Sequence, residues 1–190
     1  MLAFAGIMSA GCQAAQKVDE FTTKSGKKVT ITCIKHASME INYNGVEIQV
    51  DPVGMWLKPE TDYATFPKAN IILVTHEHKD HFDREAIHQL RTSATTIYVN
   101  NAVYNMYKNG LVLKNGDVIQ YADDIKIEAV PAYNTTPGRE QFTPRDATMA
   151  IYLRSTVCAS ILPATPRTSQ RWPISRISTL RSCPVTSLIR

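Results

Sequence analysis

Alternating apolar and polar positions in the first third of the chain predict antiparallel strands. Residues 29–34, 39–43 and 46–50 each alternate in this way. The second and third runs are separated by Asn44-Gly45. An Asn-Gly pair between two such runs is the strongest short-range signal for a β-hairpin. The pattern therefore predicts one strand followed by a tight hairpin.

The middle of the chain combines a buried strand with helices. Residues 71–74 are the continuous apolar run Ile-Ile-Leu-Val, which is typical of a strand buried on both faces. Asp83 is a suitable N-cap for a helix that extends to about residue 91. A second short helix is predicted over 102–108, and strand patterns cover 95–99, 111–113, 118–121 and 125–130. Strands interrupted by single helices predict an α/β (α+β) domain with helices packed on a sheet.

A dense group of metal-ligand side chains directly follows the run at 71–74. His76, His78, Asp80 and His81 fall within six residues. If the backbone stays extended past the strand, His76 and His78 project to the same side and can share one ion at about 2.0–2.1 Å. Asp80 and His81 come after the chain must turn, so they can face a second ion about 3.5–4 Å away. The spacing predicts a metal centre rather than a loop of solvated histidines.

The motif His-x-His-x-Asp-His at 76–81 resembles the signature of the metallo-β-lactamase superfamily. Residues 46–52 resemble that family's strand ending in Asp-Pro. Residues 34–38 resemble the Gly-His-Ala/Ser segment of the branch that contains ascorbate-6-phosphate lactonase-like hydrolases, with Lys35 in place of the glycine. Residues 129–134 resemble the strand before that branch's third metal ligand. The resemblance covers about residues 28–145.

The resemblance implies a fold and a chemistry. The fold is an αββα sandwich of two similar halves, of which this chain would hold the N-terminal half only. The chemistry is hydrolysis of a small-molecule ester, lactone or phosphoester by water activated on two zinc ions, or on manganese or iron. By resemblance, His76 and His78 hold the first metal, and Asp80 and His81 hold the second. Asp80 would also orient the attacking water as the catalytic residue.

Two further residues each have two interpretations. Asp51 either hydrogen-bonds a ligand histidine or the motif loop from behind, or it caps the end of its strand. His36 either contacts substrate near the site or is a core histidine with satisfied hydrogen bonds. We expect both residues to lie close to the motif.

Several ligands that the resemblance implies are absent from the sequence. No histidine follows His88, and Asn134 and Thr143 stand where relatives carry histidine. Neither asparagine nor threonine is a good zinc ligand. The sequence therefore predicts an impaired hydrolase. The alternative is a non-catalytic metal-binding remnant or a protein that binds anionic surfaces.

The C-terminal segment differs in composition from the rest of the chain. Up to Asp146 there are 15 basic and 17 acidic residues, whereas residues 147–190 carry six arginines and neither an acid nor a glycine. The net charge of +4 therefore belongs to this segment and does not predict nucleic-acid binding. Prolines throughout the segment oppose any long helix or central strand.

A slip of the reading frame near Asp146 would explain this segment. In the shifted frame, Met149 followed by Ala150 encodes glycine within a permitted Asp-Asn-Gly-Tyr. Residues 164–168 permit Gly-Asp-Thr-Glu-Asp, and Gly-Asp-Thr resembles the superfamily's later metal-bridging motif. We therefore predict a domain over 16–145 and an out-of-frame, disordered tail over 146–190. A naturally disordered tail is the alternative.

Residues 1–15 resemble a secretory signal peptide that lacks its basic start. Ser9-Ala10-Gly11-Cys12 resembles a bacterial lipoprotein cleavage box, so Cys12 is a candidate lipid anchor and the membrane contact expected of the protein. The expected location is the bacterial periplasm or envelope. A cytoplasmic protein with an apolar N-terminus is the alternative, and the sequence does not predict an oligomeric state.

Overall fold

The computed structural model describes residues 17–23, 25–132, 149–155 and 159–162. Within these ranges eleven strands form two sheets. The strands are β1 Lys17–Thr22, β2 Lys28–Lys35, β3 Ser38–Tyr43, β4 Val46–Val50, β5 Ile71–Val74, β6 Thr96–Val99, β7 Leu111–Val112, β8 Val118–Ala122, β9 Ile125–Pro131, β10 Met149–Ser155 and β11 Ala159–Leu162. The helices are α1 Arg84–Leu90 and α2 Asn101–Tyr107, with a 3-10 turn at Tyr63–Thr65.

The larger sheet has the strand order β1-β2-β3-β4-β5-β6-β7. Strands β1 to β4 pair antiparallel, whereas β4 to β7 pair parallel. Tyr43 pairs with Val46, so the β3–β4 loop has two residues, and Asn44 and Gly45 both have positive φ. Positive φ at both central positions is what a tight hairpin turn requires. The predicted hairpin is confirmed.

The two faces of β5 show how the layers are arranged. Ile71 and Leu73 pack toward the second sheet, which is antiparallel with the order β11-β10-β9-β8. Ile72 and Val74 pack on the opposite face in a cluster that includes Ile87 of α1. All four β5 residues are buried, as the continuous apolar run predicted. The core is therefore two apolar layers, one between the sheets and one under the helices.

Helix α1 begins where the sequence predicts. Asp83 is its N-cap, and its side chain accepts hydrogen bonds from the backbone N–H groups of Glu85 and Ala86. His88 on this helix is exposed, as expected for a residue outside the site. None of the described helices is long and apolar enough to cross a membrane.

The layer order helix, sheet, sheet confirms the predicted N-terminal part of an αββα sandwich. Strands β10 and β11 lie inside the segment 146–190 that the sequence separates from the domain, and β10 pairs with β9 along its length. Trp172 and the other residues after 162 lie outside the described residues, as do residues 1–16. The predicted disorder is therefore wrong for residues 149–155 and 159–162, which pair as strands, whereas the slip of the reading frame and the signal segment stay predictions.

Candidate metal centre

Three loops meet at one edge of the larger sheet. Because β4 and β5 are parallel, Asp51 and Thr75 leave their strands at the same edge. The β2–β3 turn reaches this edge from the antiparallel side, where Ser38 donates a hydrogen bond from Oγ to the backbone oxygen of Asp51 at 2.6 Å. His36 lies in that turn with φ of 46°. Strand topology thus gathers side chains that are far apart in sequence.

Asp51 is the hub beneath the motif. It is fully buried and has φ of 43°, a left-handed conformation that asparagine and aspartate tolerate better than most residues. Its Oδ1 accepts from the Thr75 backbone N–H at 2.8 Å. Its Oδ2 accepts from the Thr75 hydroxyl at 2.7 Å and from Nδ1 of His81 at 2.7 Å. Of its two interpretations, the structure gives Asp51 the role of holding a motif histidine and the motif loop.

These contacts fix which tautomer each of two imidazole rings adopts when it is neutral. His81 donates its Nδ1 proton to Asp51, which leaves Nε2 as the nitrogen with the lone pair. The single hydroxyl proton of Thr75 is used on Asp51, so Thr75 Oγ1 accepts from Nδ1 of His76, 3.0 Å away. His76 therefore also presents an unprotonated Nε2. A partner behind the ring that fixes the tautomer is typical of metal-binding histidines.

Both Nε2 atoms are buried without a hydrogen-bond partner among the residues that the structure describes. The two imidazole rings lie 3.9 Å apart between centroids. Burial, with a smaller contribution from the neighbouring His81 and His78, lowers the pKa of His76 to about 3. His76 is therefore neutral near pH 7. Two imidazole nitrogens buried side by side, without hydrogen-bond partners among the described residues, are the donor set that a metal ion fits.

The other side of the cluster is open to solvent. His78 is exposed, and its ring lies 4.6 Å from that of His76. The side chain of Asp80 is 41% exposed, and its Oδ2 lies 3.1 Å from Nε2 of His36 and 3.7 Å from Nε2 of His81. Burial by itself would raise the pKa of Asp80, but His81 and His36 nearby hold it below its ordinary value. Asp80 is therefore a carboxylate at neutral pH.

The arrangement found differs from the predicted one in which side chains lie together. His36, Asp80 and His81 offer ligand atoms that all lie within 4.8 Å of one another. His36 therefore joins Asp80 and His81 directly, whereas the sequence left its role open. His76 lies between His81 and His78 rather than with His78 alone. The five side chains form one continuous cluster.

One residue of the site, Thr75, was not predicted from the sequence, and two of the candidate positions lie outside the described residues. Thr75 links Asp51 to His76, and the only sequence signal for it is its position directly before the motif. Asn134 and Thr143, at the positions where the resemblance implies histidine, lie outside the described residues. The cluster as described comes entirely from the larger sheet and its loops.

The donor set suits several metals. Imidazole nitrogens with a carboxylate oxygen bind zinc well, and they also bind iron and manganese. His76, His81, His78, Asp80 and His36 are the residues that could hold one or two such ions. The contacts do not select among these metals.

Comparison with known proteins agrees with this cluster. Residues 30–154 match the family described as the beta-lactamase superfamily domain. A protein of Caldivirga maquilingensis named as a metal-dependent hydrolase is 28% identical over 109 residues, which are 53% of this chain and 47% of the relative. The chain therefore spans about half the length of that curated relative.

Solved structures share the fold. A protein of Parabacteroides distasonis described as a metal-dependent hydrolase superposes with a TM-score of 0.72 at 46% identity, covering 78% of this chain and 66% of that one. The diiron β-hydroxylase CmlA of Streptomyces venezuelae gives a TM-score of 0.59 at 13% identity, covering 82% of this chain and 33% of that one. The second likeness shows the fold alone. The family match covers most of the domain and includes every residue of the cluster, so the chain belongs to the beta-lactamase superfamily.

Proposed function

We propose that the protein is a metal-dependent hydrolase whose metal centre is built on His76, His78, Asp80 and His81, with His36 beside them. The observation that carries the proposal is the pair of buried Nε2 atoms of His76 and His81, which lack partners among the described residues. An orphaned buried polar atom is destabilising unless something pairs with it. A bound metal ion would supply that partner.

Zinc is the favoured metal, and manganese or iron would fit the same donors. When bound, such a metal would lower the pKa of a coordinated water toward about 7 and so make hydroxide available at neutral pH. Asp80 has a depressed pKa and a partly exposed carboxylate, so it can accept a hydrogen bond from that water and orient it. Asp51 keeps the Nδ1 proton of His81 in place, and Thr75 does the same for His76.

The proposed substrate is a small molecule with an ester, lactone or phosphoester bond. Support comes from relatives named as metal-dependent hydrolases and from the open side of the cluster, where His78 and Asp80 reach solvent. Residues 1–15 lead us to place the protein in the bacterial periplasm or envelope, with Cys12 as its candidate lipid anchor. Secretion followed by labelling with a lipid precursor would test that location.

The reading frame bears on how active this chain is. We propose that residues from about 146 onward are out of frame, since the shifted frame permits Gly-Asp-Thr in family order. Five candidate ligands are available on the larger sheet, and no histidine follows His88. This small number of candidate ligands favours one competing function, a metal-binding protein that does not catalyse hydrolysis.

One experiment separates these functions. The chain as written and a version with residues after Asp146 restored to the shifted frame are expressed, loaded with zinc, and compared for metal content. Turnover is measured on a panel of lactones and phosphodiesters, with His76→Ala/His81→Ala as the control in each version. We expect hydrolysis in the restored version and little in the chain as written. Hydrolysis in neither version, with zinc bound in both, would favour the non-catalytic protein.

A further inference from the structure

Two large apolar side chains stand exposed in the segment that follows β4. Met55 is 68% exposed and Trp56 is 58% exposed. Both belong to the segment between β4 and the 3-10 turn, residues 53–61, which we call the 53–61 loop. Exposed methionine and tryptophan next to each other are unusual on a surface that contacts only water. Hydrogen bonds from neighbouring elements hold the backbone of this loop, so the exposure of the two side chains is a property of the fold.

Lys35 holds the 53–61 loop from the strand side. Its ammonium group donates to the backbone oxygens of Gly54 at 2.6 Å, Leu57 at 2.9 Å and Pro59 at 2.9 Å. These three bonds use all three ammonium protons. Burial lowers the pKa of Lys35 from its ordinary value. Lys35 is therefore a clamp on this loop.

Two further side chains hold the start of the loop. Asp83 caps helix α1 with Oδ1, and its Oδ2 accepts from the backbone N–H groups of Gly54 at 3.0 Å and Met55 at 3.4 Å. The Tyr63 hydroxyl accepts from the N–H of Val53 at 3.3 Å. A Cβ at Gly54 would lie 3.0 Å from the backbone oxygen of Thr61, so the loop closes tightly on itself. The position of Met55 and Trp56 is thus fixed by the fold.

The 53–61 loop adjoins the metal centre at two points. Lys35 directly precedes His36, and Lys79 lies between His78 and Asp80. The Nζ of Lys79 is 5.0 Å from the centroid of the Trp56 ring, within the range of a cation–π contact. The indole therefore contacts an exposed lysine whose sequence neighbours, His78 and Asp80, lie on the open side of the cluster.

Resting on the proposed function, we propose that Met55, Trp56 and Lys79 form a wall of the substrate site that selects anionic substrates with an aromatic or alkyl group. The apolar group packs against Met55 and the indole, and the anionic group meets the Lys79 ammonium. A fixed apolar surface beside a few charged groups is the composition expected of a ligand site. The side chains that hold the loop are Lys35 on β2 and Asp83 at the N-cap of α1.

The test is ligand binding, which needs no turnover. The chain contains two tryptophans, so Trp172→Phe leaves Trp56 as the only indole fluorophore. This protein is titrated with phenylacetate and, separately, with acetate, with and without zinc, and the zinc content of each sample is measured. Met55→Ser and Lys79→Met are compared in the same background with Met106→Ser, an exposed methionine on α2, and with Lys68→Met, an exposed lysine.

We expect phenylacetate to quench Trp56 and to bind more tightly than acetate. Met55→Ser and Lys79→Met should each weaken phenylacetate binding about five- to tenfold, the size of a lost aromatic or ionic contact, while the two controls leave it unchanged. Equal binding of phenylacetate and acetate, or equal effects of Met55→Ser and Met106→Ser, would contradict the proposed wall of the substrate site. The zinc content decides the proposed function separately, because phenylacetate can contact the wall whether or not the protein binds metal.

Discussion

The candidate metal centre has a closed half and an open half. His76 and His81 form the closed half; both are fully buried, and both are held from behind through Asp51. The open half contains His36, His78 and Asp80, which reach solvent, and within it Nε2 of His36 lies 3.1 Å from Oδ2 of Asp80. The closed half carries the preorganised nitrogens, whereas the open half leaves room for water and substrate. Within one cluster, the buried rings that stabilise the fold are thus separate from the side chains that can meet water and substrate.

Replacement of Asp51 should lower the stability and the zinc affinity of the closed half most. Asp51→Asn removes the charge that accepts three hydrogen bonds and sets an amide against at least one donor. We expect a loss of about 3 kcal/mol in the free energy of unfolding and a 10- to 100-fold loss of zinc affinity. Urea unfolding and zinc titration measure the two effects. Asp123→Asn, at an exposed turn, is the control, and equal behaviour of the two variants would contradict the role of Asp51.

Acid should destabilise the metal-free protein through the same half. The folded-state pKa of His76 lies near 3 because the ring is buried, whereas the unfolded chain takes up that proton near 6.5. The stability that depends on neutral His76 is therefore complete above pH 6.5 and is lost as the pH falls toward 3. At pH 5 we expect a loss of about 2 kcal/mol, measured by urea unfolding in EDTA.

His76→Gln should flatten that pH dependence, because glutamine does not titrate. His88→Gln should leave it intact, since His88 is exposed on α1. If both variants lost stability in acid as steeply as the parent protein, His76 would not be the buried neutral ring described above.

A smaller effect on stability and zinc affinity is expected when Thr75, which connects Asp51 to His76, loses its hydroxyl group. Thr75→Val removes the hydroxyl but keeps the shape of the side chain, and it leaves Nδ1 of His76 without its acceptor. We expect about 1 kcal/mol of destabilisation and about tenfold weaker zinc binding. Thr75→Ser should restore both. A valine variant that keeps full zinc affinity would mean that the tautomer of His76 is fixed by another group.

The smallest change in stability should come from the open half. His78→Ala removes an exposed ring, so the free energy of unfolding should change by less than about 0.5 kcal/mol. Zinc affinity should still fall, because His78 lies beside His76. A variant that unfolds much more easily than the parent would show that the two halves are not separate.

Local signals in the sequence predicted the parts of the fold that depend on local structure. The Asn44-Gly45 turn, the Asp83 cap and the apolar run before His76 each act within a few residues, and each is found as predicted. Motif spacing likewise indicated which side chains would cluster. The resemblance added the layer order, because a single sequence does not show how two sheets face each other.

Long-range contacts were not predictable in the same way. His36 meets Asp80 only because β2 and β3 turn at the edge where the parallel strands end. Lys35 looked like a departure from a glycine, and its clamp on the 53–61 loop depends on a segment about 20 residues away. The signal segment lies outside the described ranges, as does the predicted out-of-frame tail except for β10 and β11, and both assignments stay predictions.

The most direct test of the metal centre is nitrogen-15 NMR of the histidine rings during zinc titration. The chain has five histidines, so each ring can be assigned with single variants. We predict that His76 and His81 carry their protons on Nδ1 before zinc is added. Zinc should then shift their Nε2 resonances while the Nδ1 protons remain. Protons on Nε2 of these rings, or zinc shifts confined to exposed His78 and His88, would contradict the account.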